Sequence, residues 1–130
     1  MTETDIVVDT NAYSDWQRGL RWLPEFASVE RIWMPFIAVG ELLAGFAAGG
    51  KAKANRSVFE NFLRADSVKI SFADAETSTV YADIYGSLKE QGRMIPTNDM
   101  WIAALCVQHR RPLASGDRHF EYVPMLKLVG

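Results

Sequence analysis

Four acidic residues stand at places where a carboxylate needs a reason. Asp9 follows the apolar run Ile6-Val7-Val8 directly. Glu41 interrupts the apolar stretch "FIAVGELLAGF", Asp99 sits just after Pro96 in "TNDMWIAAL", and Asp117 follows the short apolar run in "LASGD". A carboxylate placed after a buried strand, with no Lys or Arg beside it, calls for a partner. Carboxylates crowded together repel unless a cation joins them. The set is rich in oxygen and contains no thiolate, which suits Mg²⁺ or Mn²⁺. The chemistry that needs such an arrangement is metal-assisted hydrolysis of a phosphodiester.

Each acid also has a simpler explanation. Asp99 in a first helical turn would cap amides or complement the helix dipole. Glu41 could be a solvated helix residue and Asp117 a turn residue. Asp9 is the hardest to dismiss. Ala44 and Gly45, beside Glu41 on its helix, are small enough to let another element approach the carboxylate.

The elements that must position these acids follow from patterning. Residues 5–9 read as a fully buried strand, apolar on consecutive positions as in a parallel sheet covered on both faces. A second strand spans 31–34 and is stopped by Pro35. Phe36, Val39, Leu43 and Phe46 lie on one helical stripe over 36–48, closed by Gly49-Gly50. A helix over 51–66 follows, then a strand over 68–72. Asp74 caps a long helix ending at Gln91 and Gly92. Residues 97–110 are helical, 112–115 and 126–129 are strands. Strands alternating with helices imply a three-layer α/β/α domain with a central five-stranded parallel sheet. Ligands bind such sheets beyond the carboxyl ends of the strands, where strand order reverses. Asp9 and Asp117 would share that rim if the first and fourth strands are neighbours.

With 130 residues, the chain is expected to form one domain, residues 1–130. A single cysteine, Cys106, excludes a disulfide framework and a multi-thiolate zinc site. Its apolar surroundings suit a small buried residue. No signal-peptide pattern opens the chain and no apolar run reaches the ~20 residues of a membrane span, so a cytoplasmic protein is expected. The net charge of −2 excludes binding nucleic acid by bulk electrostatics. Basic residues would have to cluster, or a metal would have to meet the phosphate.

In order, "VVDTN", "VGELLAG", "NDMWIAA" and "SGDRHF" resemble the four acid-bearing segments of the PIN domain, most closely of VapC-type toxins from bacterial toxin–antitoxin pairs. The resemblance covers essentially the whole chain. It implies a Mg²⁺- or Mn²⁺-dependent endoribonuclease, usually a homodimer, neutralised by a cognate antitoxin. Asp9, Glu41, Asp99 and Asp117 would be its catalytic and metal-binding acids, with no histidine required as base. Asn11 and Ser115 would orient ligands and water, whereas Thr10 reads equally as a turn residue. The sequence departs at Gly116, where many relatives carry a larger polar or basic residue. It departs also at Ser115, where Thr is frequent, and at His119, where some have Asp.

Other residues invite two readings. Arg118, Lys51, Lys53 and Arg56 could grip an RNA backbone, as could Arg93, Arg110 and Arg111; solvated helix ends are the simpler account. Trp16 and Trp22, in a loop-like stretch, would stack bases, meet the antitoxin, or simply fill the core. His109 suits a core or boundary position. Phe36, Phe46, Phe59 and Phe62 exceed one small core and are expected to form a groove for an amphipathic antitoxin segment. Two rivals fit less well. A HAD-type phosphatase needs an acid two residues after the first, where Asn11 stands, and a nucleotide-binding fold needs a glycine-rich loop that "DTNAYSDW" lacks. The remaining alternative is a catalytically inactive PIN-like module that binds RNA or protein.

Overall fold

Ile6, Val7 and Val8 are all buried, so neither face of the first strand meets solvent. That is the signature of a parallel sheet with helices on both sides. The structure, a computed structural model, describes residues 4–129. The strands are β1 (Asp5–Val8), β2 (Arg31–Pro35), β3 (Val68–Ser71), β4 (Leu113–Ala114) and β5 (Leu128–Val129). They form one sheet in the order β3-β2-β1-β4-β5, and every pairing is parallel. The helices are α1 (Thr10–Gln17), α2 (Leu23–Ala27), α3 (Phe36–Ala47), α4 (Ala52–Leu63), α5 (Ala75–Gln91) and α6 (Thr97–His109).

The chain builds outward from β1 through β2 to β3, then crosses to β4 on the other side of β1. Strand order therefore reverses between β1 and β4, where Val7 and Val8 pair with Leu113 and Ala114. The amide of Asp9 continues the pairing, donating to the Ala114 carbonyl at 3.5 Å.

Local chemistry sets the element ends. Asp74 and Thr77 form a capping box at the start of α5, and Gly92, at φ +69°, ends it in the left-handed region. Gln108 of α6 donates to the same Asp74 carboxylate, tying α6 to the cap. Phe59, Phe120, Leu88 and Met34 are fully buried in the core. Each such side chain contributes on the order of 1.5–3 kcal/mol of burial.

Several expected boundaries shift. Asp9 does not end the strand; it is the N-cap of α1. Pro35 closes β2 rather than stopping it one residue earlier, paired with Ser71. Trp16 is not in a loop, because Asp9 caps its stretch into α1, whereas Trp22 lies in the short connection before α2, whose first turn holds Pro24. Trp22 is 1% exposed and Trp16 packs against Phe26 and Phe62, so both fill the interior. His109 lies in the last turn of α6 and is exposed, contrary to a core position. Cys106 is buried as expected, and burial pushes its thiol well above the usual range.

Candidate active site

Asp9 is only 3% exposed, yet it has two partners. Its Oδ1 accepts the amide of Ala12 at 2.8 Å, which starts α1. The Ser115 hydroxyl, at the end of β4, also bonds its carboxylate. Burial raises the carboxyl to about 6, those hydrogen bonds oppose the shift, and the charges of Asp117 and Asp99 add to it.

Ser115 also reaches the other side of the rim, its Oγ accepting the amide of Asp117 at 3.1 Å. One hydroxyl thus links the first acid to the last. Asp99 is half-buried on the first turn of α6. It does not cap that helix: Pro96 occupies the N-cap and makes no side-chain bond. Burial raises Asp99 as well, the positive character of His119 opposes this, and Asp117 and Glu41 add to it. Glu41 comes from α3. Its Oε1 accepts the Thr10 hydroxyl at 2.7 Å, and its Oε2 accepts Asn98 Nδ2 at 3.4 Å.

Asp9, Glu41, Asp99 and Asp117 line one open cavity of about 520 Å³, with Thr10, Asn11 and Asn98 among its other walls. Among the described residues, no basic side chain lines it. The four acids read from the sequence are brought together. So are Ser115, beneath Asp9, and Asn11, exposed on the cavity wall.

The basic candidates lie elsewhere. Lys51, Lys53 and Arg56 are exposed at the start of α4, where Arg56 pairs with Glu60 at 2.8 Å. Arg118 is exposed, pairs with Glu121 at 3.5 Å, and lines a separate depression that shares Asp117 with the cavity. Arg111 covers the Trp33 ring and Arg93 the Tyr122 ring.

Three contributors were not singled out by sequence, one of them Asn98, whose amide reaches Glu41. Thr10 read equally as a turn residue; its hydroxyl holds Glu41. His119 stood only as a departure from pattern. Its Nε2 lies 3.0 Å from Asp99 Oδ2, and Asp99, Asp117 and His119 each offer a ligand atom within 4.8 Å of the others. The "GDRHF" run carried a signal, since His two residues past an acid can turn to the same side, but no periodicity marks it.

A model of the PIN domain matches residues 6–125, all but the ends of the chain. The chain belongs to the PIN domain family. Among curated relatives, it is 31% identical over 123 residues to VapC ribonuclease Y4jK of Sinorhizobium fredii, covering 86% of each chain. PIN-like architecture also recurs in solved structures. DNA-bound VapBC from Salmonella typhimurium matches with a TM-score of 0.84 at 19% identity, over 96% of each chain. VapBC-5 from Mycobacterium tuberculosis, of the VapBC family of toxin–antitoxin systems, matches with a TM-score of 0.77 at 22% identity, over 97% of this chain and 98% of its own. At those identities the likeness is one of fold.

Proposed function

We propose that this single PIN domain, residues 1–130, is a VapC-like endoribonuclease toxin that uses Mg²⁺ or Mn²⁺ and is neutralised by a cognate antitoxin. The observation that carries the reading is the convergence of Asp9, Glu41, Asp99 and Asp117 on one cavity that no basic side chain among the described residues lines. The likeness to a VapC ribonuclease supports the activity, and the VapBC neighbours support the partner.

The residues fit a divalent ion. The donors are mostly oxygens, as Mg²⁺ and Mn²⁺ prefer. The buried Nε2 of His119 has no aligned hydrogen-bond partner among the described residues, which is costly unless something else uses it. Asp9, Glu41, Asp99 and Asp117 would hold the ion. When bound, it acidifies water and neutralises charge on phosphate.

The protein's own groups prepare that chemistry. Thr10 and Asn98 fix the Glu41 carboxylate from two sides. Ser115 holds Asp9 and the Asp117 backbone in one register. Asn11, at the cavity wall, is available to substrate or ligated water. An acidic cavity repels an RNA phosphate by itself, and a bound cation would offset that repulsion. Arg118 and, further off, Lys51, Lys53 and Arg56 are the candidates for holding flanking backbone.

The antitoxin groove is smaller than the four phenylalanines implied. Phe59 is fully buried, because it packs edge-on against Tyr13 and Phe46, and so it leaves the surface. Phe46 remains half-buried beside Tyr13, Arg18 and the exposed Val58, in a depression of about 100 Å³ between α1, α3 and α4. An amphipathic antitoxin segment would use that depression, with a basic side chain directed at the acids. A homodimer is the assembly that the VapC likeness implies, and the cytoplasm is the setting that suits it. Among the described residues, no helix is long and apolar enough to cross a membrane.

The test is RNA cleavage by amide variants of the acids. Asp99→Asn and Asp117→Asn should fold and lose cleavage with Mg²⁺ present. Undiminished cleavage by either folded variant would remove the site from the reaction.

A further inference from the structure

His119 lies in the 3-10 turn Arg118–Tyr122, directly after the last acid. Its neighbour Phe120 is fully buried and anchors the turn. The two rings tilt against one another with centroids 4.7 Å apart, which restricts how the imidazole can swing. The Nε2 atom is shielded from solvent. Asp99 Oδ2 lies 3.0 Å away; the contact lowers the Asp99 carboxyl but falls short of a well-aligned hydrogen bond. A histidine serving only as a hydrogen-bond donor would align its N–H with that oxygen. Here the nitrogen sits instead within 4.8 Å of ligand atoms from both Asp99 and Asp117.

We propose that His119 Nε2 is a direct metal ligand beside Asp99 and Asp117, and that it biases the site toward Mn²⁺ over Mg²⁺. The inference rests on the metal-site reading above. Its chemistry is general. Mg²⁺ favours an all-oxygen octahedral shell, whereas imidazole suits first-row transition ions. One nitrogen in a carboxylate set therefore adds more to Mn²⁺ affinity than to Mg²⁺ affinity. The chain has only two histidines, and the other, His109, is exposed at the end of α6, so a nitrogen signal can be assigned.

The experiment uses tag-free protein loaded with Mn²⁺ and no RNA. Pulsed EPR reads coupling of the bound Mn²⁺ to ¹⁴N, and calorimetry gives the Mn²⁺ and Mg²⁺ affinities. The expected result is an imidazole ¹⁴N coupling in the wild type that persists in His109→Gln and disappears in His119→Phe. That last variant should weaken Mn²⁺ roughly tenfold or more while changing Mg²⁺ much less. If His119→Phe fails to fold, the coupling retained in His109→Gln leaves His119 as its only imidazole source. Bound Mn²⁺ without ¹⁴N coupling would overturn the role of His119 and leave the carboxylate site standing. An unchanged ratio of the two affinities in folded His119→Phe would overturn it as well. Absence of any specific Mn²⁺ binding would overturn the metal site itself, and His119 with it.

Discussion

Asp9 performs two tasks that are usually read as alternatives. It caps α1 through Ala12, and it is a buried member of the acid cluster. Asn caps helices about as well as Asp, so Asp9→Asn separates charge from capping. Its carboxyl is raised to about 6 in the folded protein, above the ordinary value near 3.9. A raised folded value means that the contribution to stability is full below about pH 4 and is lost as pH rises through about 6. In EDTA, the wild type should therefore lose on the order of 2–3 kcal/mol relative to Asp9→Asn between pH 4 and pH 7. Denaturant melts of both proteins at a series of pH values measure this. A constant difference across that range would show that Asp9 carries no such strain. Thr10→Val tests the neighbouring contact. Losing the bond to Glu41 should cost about 0.5–1.5 kcal/mol of metal affinity, read by calorimetry, with little change in melting. Unchanged affinity would make that hydroxyl a local turn feature.

The helices differ in how openly the sequence announces them. In α3, Phe36, Val39 and Leu43 keep helical spacing, and in α5 a capping residue and Gly92 mark both ends. The region of α1 and α2 was opaque for a physical reason. Asp9 after a strand looks like a site residue, and only the three-dimensional hydrogen bond to Ala12 shows that it also begins a helix. Trp22, at φ +80°, turns the chain in the left-handed region, which a tryptophan does not advertise. A parallel sheet covered on both faces was legible from the buried run Ile6-Val7-Val8, but the run does not say which strands pair; the β1–β4 pairing is what brings Asp9 and Asp117 to one rim. The phenylalanines were harder, because helical spacing places them on one stripe without saying which neighbour covers each. Phe59→Ala should therefore destabilise the isolated protein by about 3–5 kcal/mol. Phe36→Ala, with its ring 41% exposed, should cost under about 1 kcal/mol. Chemical denaturation measures both, and similar costs would mean that Phe36 is as much a core residue as Phe59.

For the molecule as a whole, net charge and site charge point the same way. The chain carries −2, and its cavity is acidic, so nothing in the bulk field draws RNA toward the cluster. In the proposed reaction a bound cation would convert this repulsive pocket into one that accepts a phosphate. Four carboxylates from α1's cap, α3, α6 and the end of β4 converge only because strand order reverses beside β1. The most direct measurement of that account is cleavage of a labelled structured RNA by tag-free, metal-stripped protein, with an Asp9→Asn preparation beside it. A metal-dependent carboxylate site gives no cleavage in EDTA, restoration by added Mg²⁺ or Mn²⁺, and no restoration in Asp9→Asn. Cleavage that persists in EDTA and is absent from the Asp9→Asn preparation would contradict it, since the acids would then act without a metal.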